Sequence, residues 1–124
     1  MAKKKFYALR RYVDKTDGNA KTGYIRCEGW DVPNNLNIDG WLFDLGVYKH
    51  TKEGDWEHDF QPVDVWYVID CSCGIAIGEG ETKKKAIDNA FARLETVDMT
   101  YYRKKVNEAL EQYGNPPGRG ISYL

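Results

Sequence analysis

The sequence has little of the chemistry that most enzymes and metal sites depend on. Its 124 residues include only three cysteines and two histidines. No G-x-S-x-G, H-E-x-x-H or C-x-x-C pattern occurs. His50 and His58 both flank a charged turn, where histidines are most often solvated surface residues, so the chain offers few groups for general base catalysis. We therefore expect a non-enzymatic protein that needs no cofactor and holds no metal ion.

The cysteines and the apolar runs also restrict where the protein works. Cys27, Cys71 and Cys73 form an odd set without the spacing of a disulfide framework, which favours reduced thiols. Cys71 and Cys73 are one residue apart, whereas paired zinc ligands are usually two to four residues apart. No apolar run approaches the roughly 18 residues of a spanning helix, and the first residues lack the apolar segment of a signal peptide. We expect a cytoplasmic protein that does not contact membranes.

The chain also lacks an excess of charge of either sign. Eighteen basic and nineteen acidic residues give a formal net charge of −1. A protein of this balance has no overall electrostatic attraction to nucleic acid or anionic lipid. Any phosphate binding must therefore come from a local cluster of basic residues.

The clearest structural pattern runs from Val65 to Leu94. Apolar, β-branched runs at Val65–Ile69 and Gly74–Ile77 flank small polar residues and predict two strands joined by a tight turn. Thr82 stands where a helix N-cap is expected, because its hydroxyl can accept a hydrogen bond from an amide of the first turn. The helix that follows has one apolar side, formed by Ala86, Ile87, Ala90, Phe91, Leu94 and Val97.

A second helix is predicted beyond this unit. A new apolar stripe begins at Tyr102 and continues through Val106, Ala109, Leu110 and Tyr113. Because β-branched and capping residues interrupt the pattern, we expect two helices, or one helix bent near Asp98. Gly114 and the two prolines after it end the helical region.

The remaining patterns place most strands before these helices. Phe6–Val13, Gly23–Cys27 and Trp41–Tyr48 have strand-like sequences, and Glu28–Gly40 has the composition of a long irregular connection with Trp30 at its start. We predict a single α+β domain with an antiparallel sheet of about five strands and two C-terminal helices packed on one face. Residues 1–80 are expected to be mainly strands, residues 82–113 helical, and residues 114–124 a docking tail.

The step from the last strand into the first helix resembles two known families. Glycines followed by Thr82, Lys83, Lys84 and Ala86, with Ala90 one turn later, are similar to the last strand and second helix of double-stranded-RNA-binding domains. In that family the lysines at the helix start contact phosphates, so the resemblance implies this role for Lys83 and Lys84. The same step, with Asp70, Gly74, Gly78, Thr82 and the Ala86-Ile87-x-Asn89-Ala90 run, also resembles HicB-type antitoxin domains.

The aromatic content indicates binding to another protein. Aromatic residues make up 14% of the chain, with four tryptophans and nine tyrosines, and such side chains are enriched in interfaces as well as in cores. We predict a small intracellular binding protein that acts through Trp30, Trp41 and a docking tail containing Tyr123. Its general character is that of a phage or mobile-element accessory protein that inhibits a host defence complex, and it is also a candidate homo-oligomer.

Two alternative functions remain open from sequence. The first is RNA binding through the lysines of the helix start, Lys83–Lys85. The second is a pocket walled by tryptophans that takes a small anionic ligand. Arg10 and Arg26, together with Arg11, are the candidate anion-binding residues of such a pocket.

Overall fold

The described part of the chain forms seven strands and two helices. The computed structural model describes residues 1–14, 16–52 and 63–118. The elements are β1 (Lys3–Val13), β2 (Ala20–Val32), β3 (Asn37–Ile38), β4 (Trp41–Leu42), β5 (Leu45–Lys52), β6 (Val63–Asp70), β7 (Ile75–Gly80), α1 (Lys83–Glu95) and α2 (Met99–Tyr113). Five strands form one antiparallel sheet in the order β1-β2-β5-β6-β7, and β3 pairs with β4 separately. The predicted α+β architecture, with two helices after the sheet, is confirmed.

The first two strands form a ribbon that leaves the plane of the sheet. β1 pairs over its whole length with Ala20–Trp30 of β2, whereas β2 pairs with β5 only at Trp30–Val32. The ribbon then crosses one face of β5, β6 and β7, and the Leu9 amide donates to the Gly74 carbonyl at 2.8 Å. Gly29 lies at the bend, where a Cβ atom would come within 2.0 Å of the Val47 carbonyl oxygen. A side chain at that position would keep β2 from approaching β5.

The sheet consequently has an apolar core on each face. The core under the ribbon contains Phe6, Ala8, Cys27, Tyr48, Tyr67, Ile69 and Cys71. The core under the helices contains Val32, Phe43, Leu45, Val47, Val68, Cys73, Ile77, Ala86, Ala90, Leu94, Met99, Tyr102 and Val106. The second half of β6, from Tyr67, is buried on both faces, which explains why its sequence is apolar at successive positions rather than alternating.

The start of α1 after Thr82 and the end of α2 before Gly114 are as predicted, but α1 ends at Glu95, before Val97, which the predicted apolar side included. The Thr82 hydroxyl accepts from the Lys85 amide at 3.1 Å and caps α1. The Asp98 carboxylate accepts from the amides of Thr100 and Tyr101 and caps α2, so two helices form instead of one long one. Gly114 follows α2 and its amide donates to the Leu110 carbonyl. Within the described residues, no helix combines the length and apolar character needed to cross a bilayer.

Two predictions for the middle of the chain were wrong. Glu28–Gly40 is not an irregular connection, because β2 continues through Val32 and a short hairpin of β3 and β4 follows. Asp39 and Gly40, at φ 51° and 83°, form the two-residue turn of that hairpin. Trp41–Tyr48 is not a continuous strand either, since the chain leaves the β3–β4 hairpin at Leu42 and joins the main sheet only at Leu45.

A buried carboxylate ties the last strands, the hairpin and α2 together. Asp70, at the end of β6, is completely buried. One of its oxygens accepts from the Trp41 indole nitrogen at 3.0 Å and from the Tyr102 hydroxyl at 2.6 Å. The other accepts from the Ser72 amide at 3.1 Å and the Ser72 hydroxyl at 2.7 Å. Burial, reinforced by the adjacent Asp70, raises the pKa of Tyr102, so this phenol stays a proton donor.

The chain beyond α2 returns to the ribbon. The Tyr24 hydroxyl donates to the Gly114 carbonyl at 2.7 Å, and Pro116 is fully buried. The segment up to Gly118 therefore packs against the chain's own ribbon. Residues 119–124, which include the predicted contact residue Tyr123, lie outside the described residues.

Candidate protein-binding groove

A groove of about 370 Å³ opens between β7 and the corner where α1 passes into α2. We call it the β7 groove. Its lining residues are Ile75, Ala76, Ile77, Arg93, Leu94, Thr96, Val97, Asp98, Tyr101, Tyr102 and Lys105. Three consecutive strand residues, 75–77, contribute to the wall. Because successive side chains point to opposite faces of a sheet, a groove that touches all three must follow the edge of the strand.

The β7 groove coincides with the part of the sheet edge that the rest of the fold leaves accessible. β7 is the last strand in the sheet and pairs only with β6 among the described strands. At one end of this edge the Gly74 carbonyl accepts from Leu9, and at the other the Glu79 carbonyl accepts from the Asn89 side chain at 2.8 Å. The stretch between them, Ile75–Ile77, faces the groove. An edge of this kind can pair with an added strand.

The walls beside this edge are apolar and end in an exposed aromatic ring. Ile77 and Leu94 are buried, Val97 is half-buried, and Tyr101 is 58% exposed. Tyr101 points away from the core because its neighbour Tyr102 points inward, as the helical period requires. The groove therefore offers apolar contact beside the strand edge and a large ring at its rim, a combination that is common in protein interfaces.

The rim of the β7 groove carries positive charge. Neither Arg93 nor Lys105 forms an ion pair with a described residue. The Lys105 ammonium lies 5.4 Å from the centre of the Tyr101 ring. Asp98 is the only acidic residue of the lining, and its carboxylate is engaged by the first amides of α2. The groove therefore favours a partner segment with acidic residues.

The tryptophans predicted as contact residues have different neighbours. Trp30 packs against Trp66, with ring centres 5.8 Å apart, and the Lys83 ammonium lies 4.5 Å from the centre of the Trp30 ring. Trp41 instead packs edge-on against Tyr102 and donates to the buried Asp70. Of the two, Trp30 lies beside a surface groove, whereas Trp41 has a structural role.

The predicted basic residues are likewise separated. The Arg10 guanidinium stacks on the Tyr67 ring at 4.0 Å, on the side of the ribbon that faces the sheet. Arg26 is exposed on the outer side of the ribbon. Lys84 forms an ion pair with Asp88 at 2.8 Å, one turn further along α1. The structure therefore brings Lys83 to Trp30, places Arg26 further along the same side of the ribbon, and leaves Arg10 and Lys84 elsewhere.

Sequence reasoning did not select the residues of the β7 groove. Tyr101, Arg93 and Lys105 lie on the polar sides of their helices, which is normally the solvated surface. One signal was present, because a tyrosine next to an inward-facing tyrosine must lie outside the apolar stripe of its helix. The edge position of β7, however, becomes visible only in the assembled sheet.

The three thiols are enclosed by the two cores. Cys71 lies in the core under the ribbon and Cys73 in the core under the helices, so the two point to opposite faces of the sheet. All three cysteines are free and at most 3% exposed. Burial raises the pKa of Cys27 to about 11 and also raises that of Cys73. No cluster of three or more metal-ligating side chains occurs among the described residues, and His58 is not one of those residues.

We expect the three thiols to be unreactive in the folded protein. A buried thiol with a raised pKa contains almost no thiolate near neutral pH, and the thiolate is the reactive form. Adding a thiol reagent such as dithionitrobenzoate at neutral pH should release no colour within minutes, and three equivalents after unfolding in guanidinium. Rapid modification of one cysteine in the native protein would contradict this burial.

No family model, no curated protein and no solved structure matches the chain.

Proposed function

We propose that the chain is a protein-binding domain that takes an extended, acidic segment of a partner protein along the edge of β7. The observation that carries the proposal is the accessible edge at Ile75–Ile77, which opens into an apolar groove with a basic rim. A segment added there would pair its backbone with β7 and place alternate side chains against Val97 and Tyr101. Its acidic residues would approach Arg93 and Lys105.

This binding mode fits the role expected from sequence. A domain that supplies a strand edge competes with the partner's own strand pairing, so it can act as an inhibitor of an assembly. Free cysteines persist in reducing compartments, which supports an intracellular setting. A second copy of the chain is an alternative occupant of the same edge, and sizing with light scattering distinguishes it.

Peptide selection tests the proposal and does not require the natural partner. A library of random peptides displayed on phage is selected against the folded chain, and the affinity of the enriched peptides is then measured by calorimetry. We expect enriched sequences that alternate apolar residues and include Asp or Glu. Tyr101→Ala should weaken their binding by about tenfold or more, because exposed aromatic anchors carry much of the affinity of an interface.

Two matched controls make the result specific. Lys105→Ala should weaken binding, whereas Lys104→Ala, the same change one residue away on a side of α2 that does not line the groove, should leave it unchanged. Two peptides are compared, one methylated on the odd-numbered backbone nitrogens and the other on the even-numbered ones. Only one of the two should lose binding, because only alternate amides of the peptide pair with β7. Peptides that bind the Tyr101→Ala and Lys105→Ala variants normally, or that tolerate methylation in both registers, would disprove the proposal.

A further inference from the structure

The pairing of β1 with β2 sorts the side chains of the ribbon onto two faces. Phe6 and Ala8 point toward the sheet and are buried, and their partners in β2 are Cys27 and Ile25. The intervening residues of both strands lie on the opposite face of the ribbon. This outer face of the ribbon consists of Lys3, Lys5, Tyr7, Leu9 and Arg11 from β1, opposite Trp30, Glu28, Arg26, Tyr24 and Thr22 from β2.

Positive charge is concentrated on the outer face of the ribbon, although basic residues do not outnumber acidic residues in the whole chain. It carries Lys3, Lys5, Arg11 and Arg26 but only one acidic residue, Glu28. The whole chain, in contrast, has a net charge of −1. Lys5 and Glu28 are 4.0 Å apart and both mostly exposed, so their pairing is weak. The other three basic residues form no ion pair with a described residue.

Aromatic rings alternate with these charges. Tyr7 and Tyr24 are half-buried, and Trp30 lies at one end with the Lys83 ammonium above its ring. The Tyr24 ring lies against Gly74, and its hydroxyl donates to the Gly114 carbonyl. A groove of about 580 Å³ lies along this face, and a second groove, of about 400 Å³, also reaches Phe6 and Cys71 of the core under the ribbon. Lys3–Lys5 and Glu28–Trp30 line the first groove. Tyr7, Arg26 and the segment Pro116–Gly118 contribute to the second.

We propose that the outer face of the ribbon binds single-stranded nucleic acid. Basic side chains that follow a backbone, with rings between them on which bases stack, are the features of sequence-tolerant single-strand binding. From Lys3 to Arg11 the face extends about 26 Å at a strand rise of roughly 3.3 Å per residue.

This site is separate from the β7 groove and from the lysines that resemble those of double-stranded-RNA-binding domains. Only Lys83 of that helix start approaches the outer face, through Trp30. Lys84 is paired with Asp88, and Lys85 lies 3.9 Å from Glu81. The two proposals therefore predict effects of different mutations, and either can fail while the other holds.

Fluorescence anisotropy with labelled oligonucleotides of about 15 nucleotides, a length within the range of known single-strand sites, tests the proposal. Single-stranded DNA and RNA of the same base sequence are compared, to show which of the two nucleic acids binds more tightly. Arg26→Glu and Lys3→Glu should each weaken binding by tenfold or more. Each should also lower the slope of log K against log salt by roughly 0.7, the value for one phosphate contact on a single strand.

Three controls decide between outcomes. Lys84→Glu and Lys104→Glu make the same charge change on exposed helix positions and should alter the affinity less than twofold. An abasic strand of equal length should bind roughly five- to hundredfold more weakly, because it cannot stack. Tyr101→Ala in the β7 groove should have no effect. The proposal is overturned if no strand binds, if the abasic strand or polyglutamate binds as tightly, or if Lys84→Glu weakens binding as much as Arg26→Glu.

Discussion

Replacing Asp70 by alanine is expected to lower the free energy of unfolding by about 3–5 kcal/mol. The carboxylate is completely buried and accepts four hydrogen bonds. Its removal leaves the donors of Trp41, Ser72 and Tyr102 without their acceptor, and the Tyr102 hydroxyl is buried in the core under the helices. Each buried donor left unpaired costs about 1–3 kcal/mol.

Urea denaturation of matched variants measures this effect. Asp64→Ala changes the same residue type on the same strand. Its carboxylate is about half exposed and, among the described residues, accepts from the Thr51 hydroxyl and lies 4.0 Å from the Lys49 ammonium, so the change should cost less than about 1 kcal/mol. Asp70→Asn should fall between the two, because one amide nitrogen replaces an acceptor and leaves either the Trp41 or the Ser72 N–H unpaired. Equal urea midpoints of unfolding for Asp70→Ala and Asp64→Ala would show that the hydrogen bonds of Asp70 do not stabilise the fold.

The same network links stability to the proposed binding site. Tyr102 is the inward neighbour of Tyr101, and its bond to Asp70 fixes the start of α2 against the end of β6. The position of α2 sets the width of the β7 groove, whose far wall is Tyr101 and Lys105. Tyr102→Phe should therefore weaken peptide binding at the groove, as well as destabilising the fold by about 1–2 kcal/mol.

Local patterns sufficed to predict the second half of the chain. The strands β6 and β7, the cap at Thr82, the break at Asp98 and the end at Gly114 each follow from residues close in sequence. Hydrophobic periodicity and helix capping involve residues within one or two helical turns of each other, so both can be recognised from the sequence alone. For this reason the α+β class could be predicted before any tertiary contact was known.

The first half of the chain depends on contacts that local patterns do not contain. Gly29 and Asp31 are poor strand residues and favour a loop around Trp30, yet β2 needs a glycine there to pass the Val47 carbonyl. Asp39-Gly40 fits an irregular loop by composition, although this pair is also the standard turn of a two-residue hairpin. Tertiary packing decided between the alternatives in both places.

The candidate sites were harder to predict than the fold. In sequence Arg26 is an isolated arginine, and its grouping with Lys3 and Arg11 appears only once β1 and β2 are placed in register. Asp70 reads in sequence as a polar residue at a strand end, because its partners Trp41 and Tyr102 are 29 and 32 residues away. Both groupings depend on tertiary structure, which residues close in sequence do not determine.

The contact of α1 with β7 leads to the second large prediction, for Gly78→Ala. A Cβ atom at Gly78 would lie 2.7 Å from the Ala86 carbonyl oxygen, the Ala90 amide nitrogen and the Ala90 Cβ. Two of these are backbone atoms of a helix, which cannot move without displacing the helix itself. Overpacking of this kind costs about 1–3 kcal/mol, and here α1 also loses part of the burial of Ala86, Ala90 and Leu94.

We expect Gly78→Ala to lower the free energy of unfolding by about 3 kcal/mol, measured by urea denaturation followed by circular dichroism. Gly23→Ala is the matched control, because a Cβ atom there meets only the Tyr12 ring at 3.5 Å, an ordinary contact. That change should be neutral or slightly stabilising, since alanine restricts the unfolded chain. Ala90→Gly should not rescue Gly78→Ala, because the two backbone atoms of α1 remain in place. A Gly78→Ala variant as stable as Gly23→Ala would mean that α1 is not held tightly against β7, and the wall of the β7 groove would then be less rigid than this packing implies.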